Sequence, residues 1–204
     1  MRKPNFKYDD EVYGKFGEDD FKKFSDSIGF AYIDVSKDEI FQYVDVDFLI
    51  SKSFEIHNDD NGLSLINGLN YHNLIFSRDK SKRDVYKFEV KTDTRSYETR
   101  NVVYEVISHD FSGCMGASKA DYIYYVFIDD SGDELVKKES WSIDLTKWRE
   151  YIREKFFDTS VRIVDSENIW GIRRNNFNTY GDAVGNLLCN IDILQKYGIA
   201  KKIF

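Results

Sequence analysis

The spacing of hydrophobic residues predicts a helix near the start of the chain. In residues 17–30 (GEDDFKKFSDSIGF), apolar side chains recur three and four residues apart, at Phe21, Phe24 and Ile28. Acidic residues occupy the first turn, where the helix dipole favours them, and Gly29 interrupts the pattern. We therefore predict an amphipathic helix that ends at this glycine.

The next segment, residues 40–54 (IFQYVDVDFLISKSF), alternates between apolar and acidic residues at its centre. Successive side chains of an extended chain point to opposite faces. A strand here would place Val44, Val46 and Phe48 on one face, and Asp45 and Asp47 on the other. The pattern predicts a strand with one charged face.

Three further segments are rich in β-branched and aromatic residues and predict strands. They are residues 84–93 (DVYKFEVKTD), 101–108 (NVVYEVIS) and 121–129 (DYIYYVFID), and the last is apolar enough to be central in a sheet. Residues 55–82 contain turn signals and short apolar runs, which predict a hairpin or an insertion.

The C-terminal third predicts two more elements. Residues 140–157 form an amphipathic pattern with Asp144 or Thr146 as the candidate N-cap, and its apolar stripe consists of Trp148, Ile152 and Phe156. Residues 184–199 fit either one helix or a short strand followed by a helix that begins near Asp192, and we favour the second.

The order of these elements predicts an α/β fold with a central mixed β-sheet flanked by helices. The chain has 204 residues and no linker rich in Pro, Gly or Ser. A single domain over residues 1–204 is therefore expected.

Charge and cysteine content narrow the classes of function. The net charge is −7, which argues against binding a polyanion through a large basic surface. It does not exclude a nuclease, because a metal-dependent site concentrates carboxylates. Two cysteines in no metal-binding pattern indicate a reducing compartment and hence a cytoplasmic protein. The N-terminal segment does not have the pattern of a signal peptide and no apolar run is long enough to cross a membrane, so no membrane association is expected.

The candidate chemistry lies in the segment FEVKTD, residues 88–93. Glu89 and Lys91 are two positions apart on a predicted strand, so they share a face. A carboxylate there can bind a hard divalent cation, and the ammonium can orient water or neutralise charge on a phosphate. Asp45 or Asp47 could supply a second carboxylate, and the Val90 carbonyl a third oxygen. The alternative is an ordinary charged pair on a solvated face.

Four segments in this order resemble the PD-(D/E)XK nuclease superfamily, whose fold is that of restriction endonucleases: YVDVDFLI, KFEVKTD, TRNVVYEV and KADYIYYVF. More narrowly, they resemble small nuclease-like proteins of phages and bacteria, in which E-[VI]-K-[TS]-D is followed by T-G-N-[IV]-x-x-E and [TS]-x-A-D-Y. The resemblance covers roughly residues 14–128. This chain departs from the motif at Arg100, where glycine is usual.

The resemblance implies a set of roles. Asp47 would be a metal ligand, Glu89 the second ligand and Lys91 the catalytic lysine, with Mg²⁺ or Mn²⁺ as cofactor. Asp45 competes with Asp47 for the first role, and Glu18 is the helical acid that supports the metal site. The long gap between Asp47 and Glu89 departs from the compact hairpin of many members.

The expected substrate is DNA, although nothing in the sequence separates DNA from RNA. Lys119, Arg173 and Arg174 are candidate nucleic-acid contacts, with ordinary polar loops as the alternative. Glu105 has either a metal-site role or an outward position on its strand. A homodimer is expected if both DNA strands are cut, and the host would be a bacterial or phage-infected cell.

A different class of function keeps the same fold without catalysis. Such a protein would bind another protein, for instance as a phage factor that binds a host protein, and the acidic charge favours it. The nuclease hypothesis requires Asp47, Glu89 and Lys91 to converge in the folded chain.

Overall fold

A computed structural model of the chain describes residues 10–52, 85–108, 111–112, 117–132, 134–157, 172–174 and 185–204. The predicted hairpin or insertion at residues 55–82 lies outside the described residues. The bounds of the helices and strands are given below in the order of the chain.

The N-terminal half begins with a π-helical turn at Asp10–Gly14. It is followed by α1 (Lys15–Ser27), β1 (Ala31–Asp34), α2 (Glu39–Tyr43), β2 (Phe48–Ser51), β3 (Tyr86–Asp93), α3 (Ser96–Thr99) and β4 (Asn101–Ser108).

The remaining elements are β5 (Phe111–Ser112), β6 (Tyr122–Asp129), β7 (Val136–Asp144), α4 (Leu145–Ile152), a π-helical turn (Arg153–Phe157), β8 (Ile172–Arg174), β9 (Gly185–Asn190), α5 (Ile191–Lys196) and β10 (Ala200–Lys202).

The larger sheet has six strands in the order β1-β2-β3-β6-β7-β10. It is mixed, because β3 and β6 run parallel while the other neighbours are antiparallel. Helices flank this sheet, as predicted for an α/β fold. A second, antiparallel sheet has the order β5-β4-β9-β8, so the predicted strand at residues 101–108 forms but belongs to this separate sheet.

Side chains alternate along β6 between two hydrophobic cores, because neighbouring residues of a strand face opposite ways. Tyr124 and Val126 pack in the core under α1, which includes Phe21. Ile123 and Phe127 pack in the larger core on the other face, which also holds residues of the second sheet and of α4 and α5. The central position predicted for this strand is confirmed by its burial on both faces.

Helix α1 matches its predicted pattern and ends before Gly29, which has a φ of +70°. A positive φ costs glycine little because it has no Cβ. In the C-terminal region, the strand and helix predicted for residues 184–199 form as β9 and α5, with Asn190 as the N-cap.

Two predicted elements are corrected by the structure. Residues 44–47 are not part of a strand, since Asp45 has a φ of +48° and β2 begins only at Phe48. Val44 and Val46 pack in the larger core while Phe48 packs under α1, so they do not share a face. The non-extended backbone at Asp45 breaks the strict alternation that a continuous strand would impose.

The helix predicted for residues 140–157 begins later than its pattern indicates. Residues up to Asp144 belong to β7, and the Asp144 carboxylate accepts a hydrogen bond from the Lys147 amide at 3.1 Å. Asp144 is therefore the N-cap, and Thr146 lies inside the helix. Strand pairing with β6 and β10 holds residues 140–144 extended despite their amphipathic pattern.

Candidate active site at the start of β2 and the middle of β3

The antiparallel register of β2 and β3 brings the acidic candidates together. Phe48 lies opposite Phe88, so Asp47, one residue earlier, is next to Glu89. The Asp47 amide donates to the Phe88 carbonyl at 2.9 Å. Its carboxylate in turn accepts the Val90 amide at 2.7 Å. Asp47 therefore uses both backbone and side chain to attach the beginning of β2 to the strand that carries Glu89 and Lys91.

Glu89 and Lys91 share a face of β3, as predicted, and form an ion pair of 2.8 Å between Lys91 Nζ and Glu89 Oε1. The Glu89 side chain is only 4% exposed, whereas that of Lys91 is 39% exposed. The strand thus holds a buried carboxylate next to an ammonium that reaches solvent. Phe88 and Val90 pack on the opposite face, against the core under α1.

The second oxygen of Glu89 is the least satisfied polar atom of this site. Glu89 Oε2 is buried and has no hydrogen-bond partner within the described part of the chain. A buried carboxylate oxygen without a partner carries a free-energy cost, and such groups call for an explanation. A cation bound there would satisfy the atom.

Asp45 lies beside this pair in an unusual conformation. Its φ of +48° is in the left-handed region, which aspartate tolerates better than most residues. The Asp45 carbonyl accepts the Ser118 hydroxyl at 3.0 Å. Burial, together with the charge of Glu89, raises the pKa of Asp45 to about 6. Glu105 also raises this pKa, which places Glu105 within electrostatic reach of the site.

The pKa of Asp47 is also raised to about 6, mainly by burial. The hydrogen bond from the Val90 amide and the charge of Lys91 act in the opposite direction, while Glu89 adds to the increase. Asp45, Asp47 and Glu89 therefore crowd negative charge around Lys91. Such crowding favours protons or a divalent cation.

The supporting role that the resemblance implies for Glu18 stays a prediction. It lies on α1, and burial followed by the charge of Asp34 raises its pKa. Its charge also raises the pKa of Asp47, by less than the charge of Glu89 does. Lys22, one helical turn after Glu18, forms an ion pair with Asp34 at 2.9 Å. Glu18 is thus electrostatically coupled to both Asp34 and Asp47.

The segment ASKADY, which carried part of the family resemblance, attaches to the strands of the site. The Lys119 amide donates to the Val44 carbonyl at 2.8 Å, next to the Ser118 contact with Asp45. Asp121 and Lys87 exchange two hydrogen bonds, one from each backbone amide, of 2.8 and 3.0 Å. The sequence motif was recognisable, but the positioning role of Ser118 and Asp121 was not predicted.

Lys119 is thus close in space to the acidic cluster. Arg173 and Arg174 lie on β8, a strand of the second sheet that pairs with β9. Their predicted role in contacting nucleic acid stays a prediction.

One exposed aromatic residue near the site was also missed by sequence reasoning. Tyr43 ends α2 two residues before Asp45, and its side chain is 87% exposed. The predicted strand with one charged face assigned no position to Tyr43, so this exposure was not anticipated.

No three His, Cys, Asp or Glu side chains form a ready-made metal-binding group among the residues that the structure describes. Mg²⁺ does not require one, because it is usually held by one or two carboxylates, water and substrate phosphates. Asp47 and Glu89, with the unpartnered Glu89 Oε2, fit a cation of this kind.

Comparisons with known proteins add no relative. No protein-family model, no curated protein and no solved structure matches the chain. Within the described residues, no helix has the length and apolar composition to cross a membrane.

Proposed function

We propose that this protein is a metal-dependent nuclease of the restriction-endonuclease-like fold that hydrolyses DNA phosphodiester bonds. One observation carries the proposal: Glu89 is buried with one oxygen paired to Lys91 and the other unpartnered within the described chain, next to the carboxylate of Asp47. This is the convergence that the nuclease hypothesis requires.

The order and direction of the elements support the proposal. A helix precedes two antiparallel strand pairings, and β6, the neighbour of β3 in the larger sheet, runs parallel to the strand that carries the E-x-K motif. A mixed sheet flanked by helices is the coarse arrangement that the resemblance to the PD-(D/E)XK superfamily implies. Ligands of sheets with parallel strands bind near the carboxyl ends of those strands, and Lys91 lies towards that end of β3.

Each residue of the cluster has a chemical part in this proposal. Asp47 and Glu89 would hold Mg²⁺ or Mn²⁺, which when bound supplies a Lewis acid for the scissile phosphate. Lys91 reaches solvent and can stabilise the negative charge that develops on the phosphate oxygens or orient a water molecule. Asp45 adds negative charge that favours a divalent cation over a proton above pH 6.

A cleavage assay tests the proposal. We expect Mg²⁺- or Mn²⁺-dependent cutting of linear, circular or branched DNA, which EDTA abolishes, with RNA included to separate the two substrates. Lys91→Ala and Glu89→Ala should lower the rate by about a hundredfold or more, the usual cost of removing a group that stabilises transition-state charge.

Matched controls come from the surface of the same chain. Lys138 pairs with Asp129 at 3.0 Å away from the site, and Glu150 is exposed on α4. Lys138→Ala and Glu150→Ala should retain full activity. Cutting that is equal in the wild type and in Lys91→Ala would reject the proposed site.

The second candidate is a non-catalytic protein that keeps this fold and binds another protein. One observation favours it: the net charge of −7. A correctly folded protein that cuts none of the substrates with either metal would support this candidate over the nuclease.

A further inference from the structure

Helix α2 exposes two large apolar side chains immediately before the acidic cluster. Tyr43 is 87% exposed and Ile40 is 61% exposed. They are three residues apart, so they lie on the same side of this short helix. Phe41 and Val44 are buried in the larger core. The helix is therefore fixed on its inner side and presents an aromatic and an aliphatic group to solvent.

The position of Tyr43 relative to the cluster is set by the chain itself. Two peptide units separate it from Asp45, so their Cα atoms are at most about 7.6 Å apart. The next residue, Val44, accepts the Lys119 amide at 2.8 Å. Tyr43 thus lies two residues from Asp45 of the acidic cluster, on a backbone held by hydrogen bonds.

Charge restricts how this region can hold a nucleic acid. The chain has a net charge of −7, and Asp45, Asp47 and Glu89 lie together in the site. Binding that depends on many phosphate contacts needs clustered Lys and Arg. Stacking of a base on an aromatic ring does not need a positive surface, and it tolerates any base because every base has a π-face.

Stacking also selects the form of the substrate. Inside a duplex, both faces of a base are covered by its neighbours, so an aromatic side chain can stack only on a base that is unpaired or extruded. We propose that Tyr43, flanked by Ile40, is a stacking platform for one unpaired nucleobase of a single-stranded substrate next to the Asp47–Glu89–Lys91 site. This inference rests on the proposed function for the class of ligand.

The test measures binding without cleavage. The full chain carrying Lys91→Ala is mixed, in Mg²⁺, with a short single-stranded oligonucleotide that contains 2-aminopurine, whose fluorescence falls when the base stacks. Affinity is measured by anisotropy at low and high salt, and a blunt hairpin duplex serves as the competitor. Tyr43→Ala, Tyr43→Phe and Tyr197→Ala are compared in this background.

We expect Tyr43→Ala to weaken single-strand binding roughly tenfold or more and to remove the 2-aminopurine quenching. Tyr43→Phe keeps the ring and should bind as the parent does. Tyr197, 47% exposed beside α5, is the matched tyrosine away from the site, and Tyr197→Ala should leave affinity unchanged. Thermal melting of each variant confirms folding.

Four results would overturn the inference. The first two are equal single-strand affinity in Tyr43→Ala and its parent, and duplex binding as tight as single-strand binding. The others are loss of self-association instead of DNA affinity in Tyr43→Ala, and no binding by the parent to either form. Cleavage separates the two proposals. If binding depends on Tyr43 but the wild type cuts no substrate, this inference stands and the nuclease proposal is rejected. If the wild type cuts DNA but binding does not depend on Tyr43, the nuclease proposal stands and this inference is rejected.

Discussion

At the scale of single residues, Asp45 combines a left-handed backbone with a carboxylate held close to other negative charges. Burial and the charge of Glu89 raise its pKa to about 6, well above the value of about 3.9 expected in an unfolded chain. Between these two values the folded protein binds more protons at Asp45 than the unfolded chain does. The contribution of Asp45 to stability is therefore fully present below about pH 4 and is lost as the pH rises through about 6.

This pH dependence of stability can be tested with Asp45→Asn in the absence of divalent cations. Asparagine keeps the left-handed conformation but carries no charge. We expect the free energy of unfolding of the variant, relative to wild type, to be higher at pH 7.5 than at pH 4.5. Urea denaturation at the two pH values measures both differences.

A control for the pH test is Asp129→Asn. The pKa of Asp129 is lowered by its hydrogen bonds with Ser131 and its pair with Lys138, so this group is ionised at both pH values in the folded and the unfolded chain. The difference in free energy of unfolding between Asp129→Asn and wild type should therefore change little between pH 4.5 and pH 7.5. If the difference for Asp45→Asn changes as little as that of the control, the explanation by burial and charge crowding at Asp45 is wrong.

At the scale of elements, the contact of α1 with β3 positions the strand of the site. A Cβ on Gly17 would overlap the Thr92 hydroxyl and touch a methyl group of Val90. The glycine therefore allows the helix to lie directly on the strand that carries Glu89 and Lys91. The Thr92 hydroxyl is itself buried without a hydrogen-bond partner in the described part of the structure.

We expect Gly17→Ala to lower the free energy of unfolding by about 1–3 kcal/mol through overpacking, although alanine ordinarily favours a helix by about 1 kcal/mol over glycine. Gly14→Ala is the matched control, because a Cβ there meets nothing within 4 Å. In a double-mutant cycle, Thr92→Ala should reduce the cost of Gly17→Ala. Chemical denaturation measures all four proteins, and equal costs with and without Thr92 would contradict the packing explanation.

The turn between α2 and β2 explains why the strand predicted for residues 44–47 was wrong. Val44, Asp45, Val46 and Asp47 alternate perfectly, and both valines are buried while the acids are half-buried. The alternation in burial is real, but it comes from a turn between α2 and β2. Periodicity reports which side chains are buried and not which backbone conformation buries them.

At the scale of the whole molecule, Arg100 joins the two sheets. It stands between α3 and β4 with a φ of +59°. Its guanidinium donates to Glu139 of β7 at 2.8 Å and to both oxygens of Asp192 at 2.7 and 3.0 Å. Its carbonyl accepts the Ile191 amide at 2.8 Å. These contacts offset the cost of a left-handed arginine.

We expect Arg100→Ala to destabilise the protein by roughly 2–4 kcal/mol, because Glu139 is largely buried and loses one of its partners. Arg100→Gly loses the same ion pairs but relieves the left-handed strain, so it should be about 1 kcal/mol more stable than Arg100→Ala. Urea denaturation at fixed pH measures the free energy of unfolding of the wild type and the two variants. An alanine variant as stable as the glycine variant would contradict a strained backbone at this position.

The sequence by itself determined the parts that depend on local periodicity. These include α1, β3, β4 and β6, the C-terminal strand and helix, the α/β class, and the shared face of Glu89 and Lys91. Each follows from the fixed repeat of a helix or strand, which places residues on faces without reference to the rest of the chain. The E-x-K pair was visible for the same reason.

Only the tertiary structure decided what surrounds that pair. Register between β2 and β3 sets Asp47 beside Glu89, the turn at Asp45 brings in a second acid, and packing against the sheet buries Glu89 while Tyr43 stays exposed. It also divided the strands between two sheets and gave Arg100 its partners. Pairing, burial and long-range charge depend on residues distant in sequence, so no local pattern encodes them.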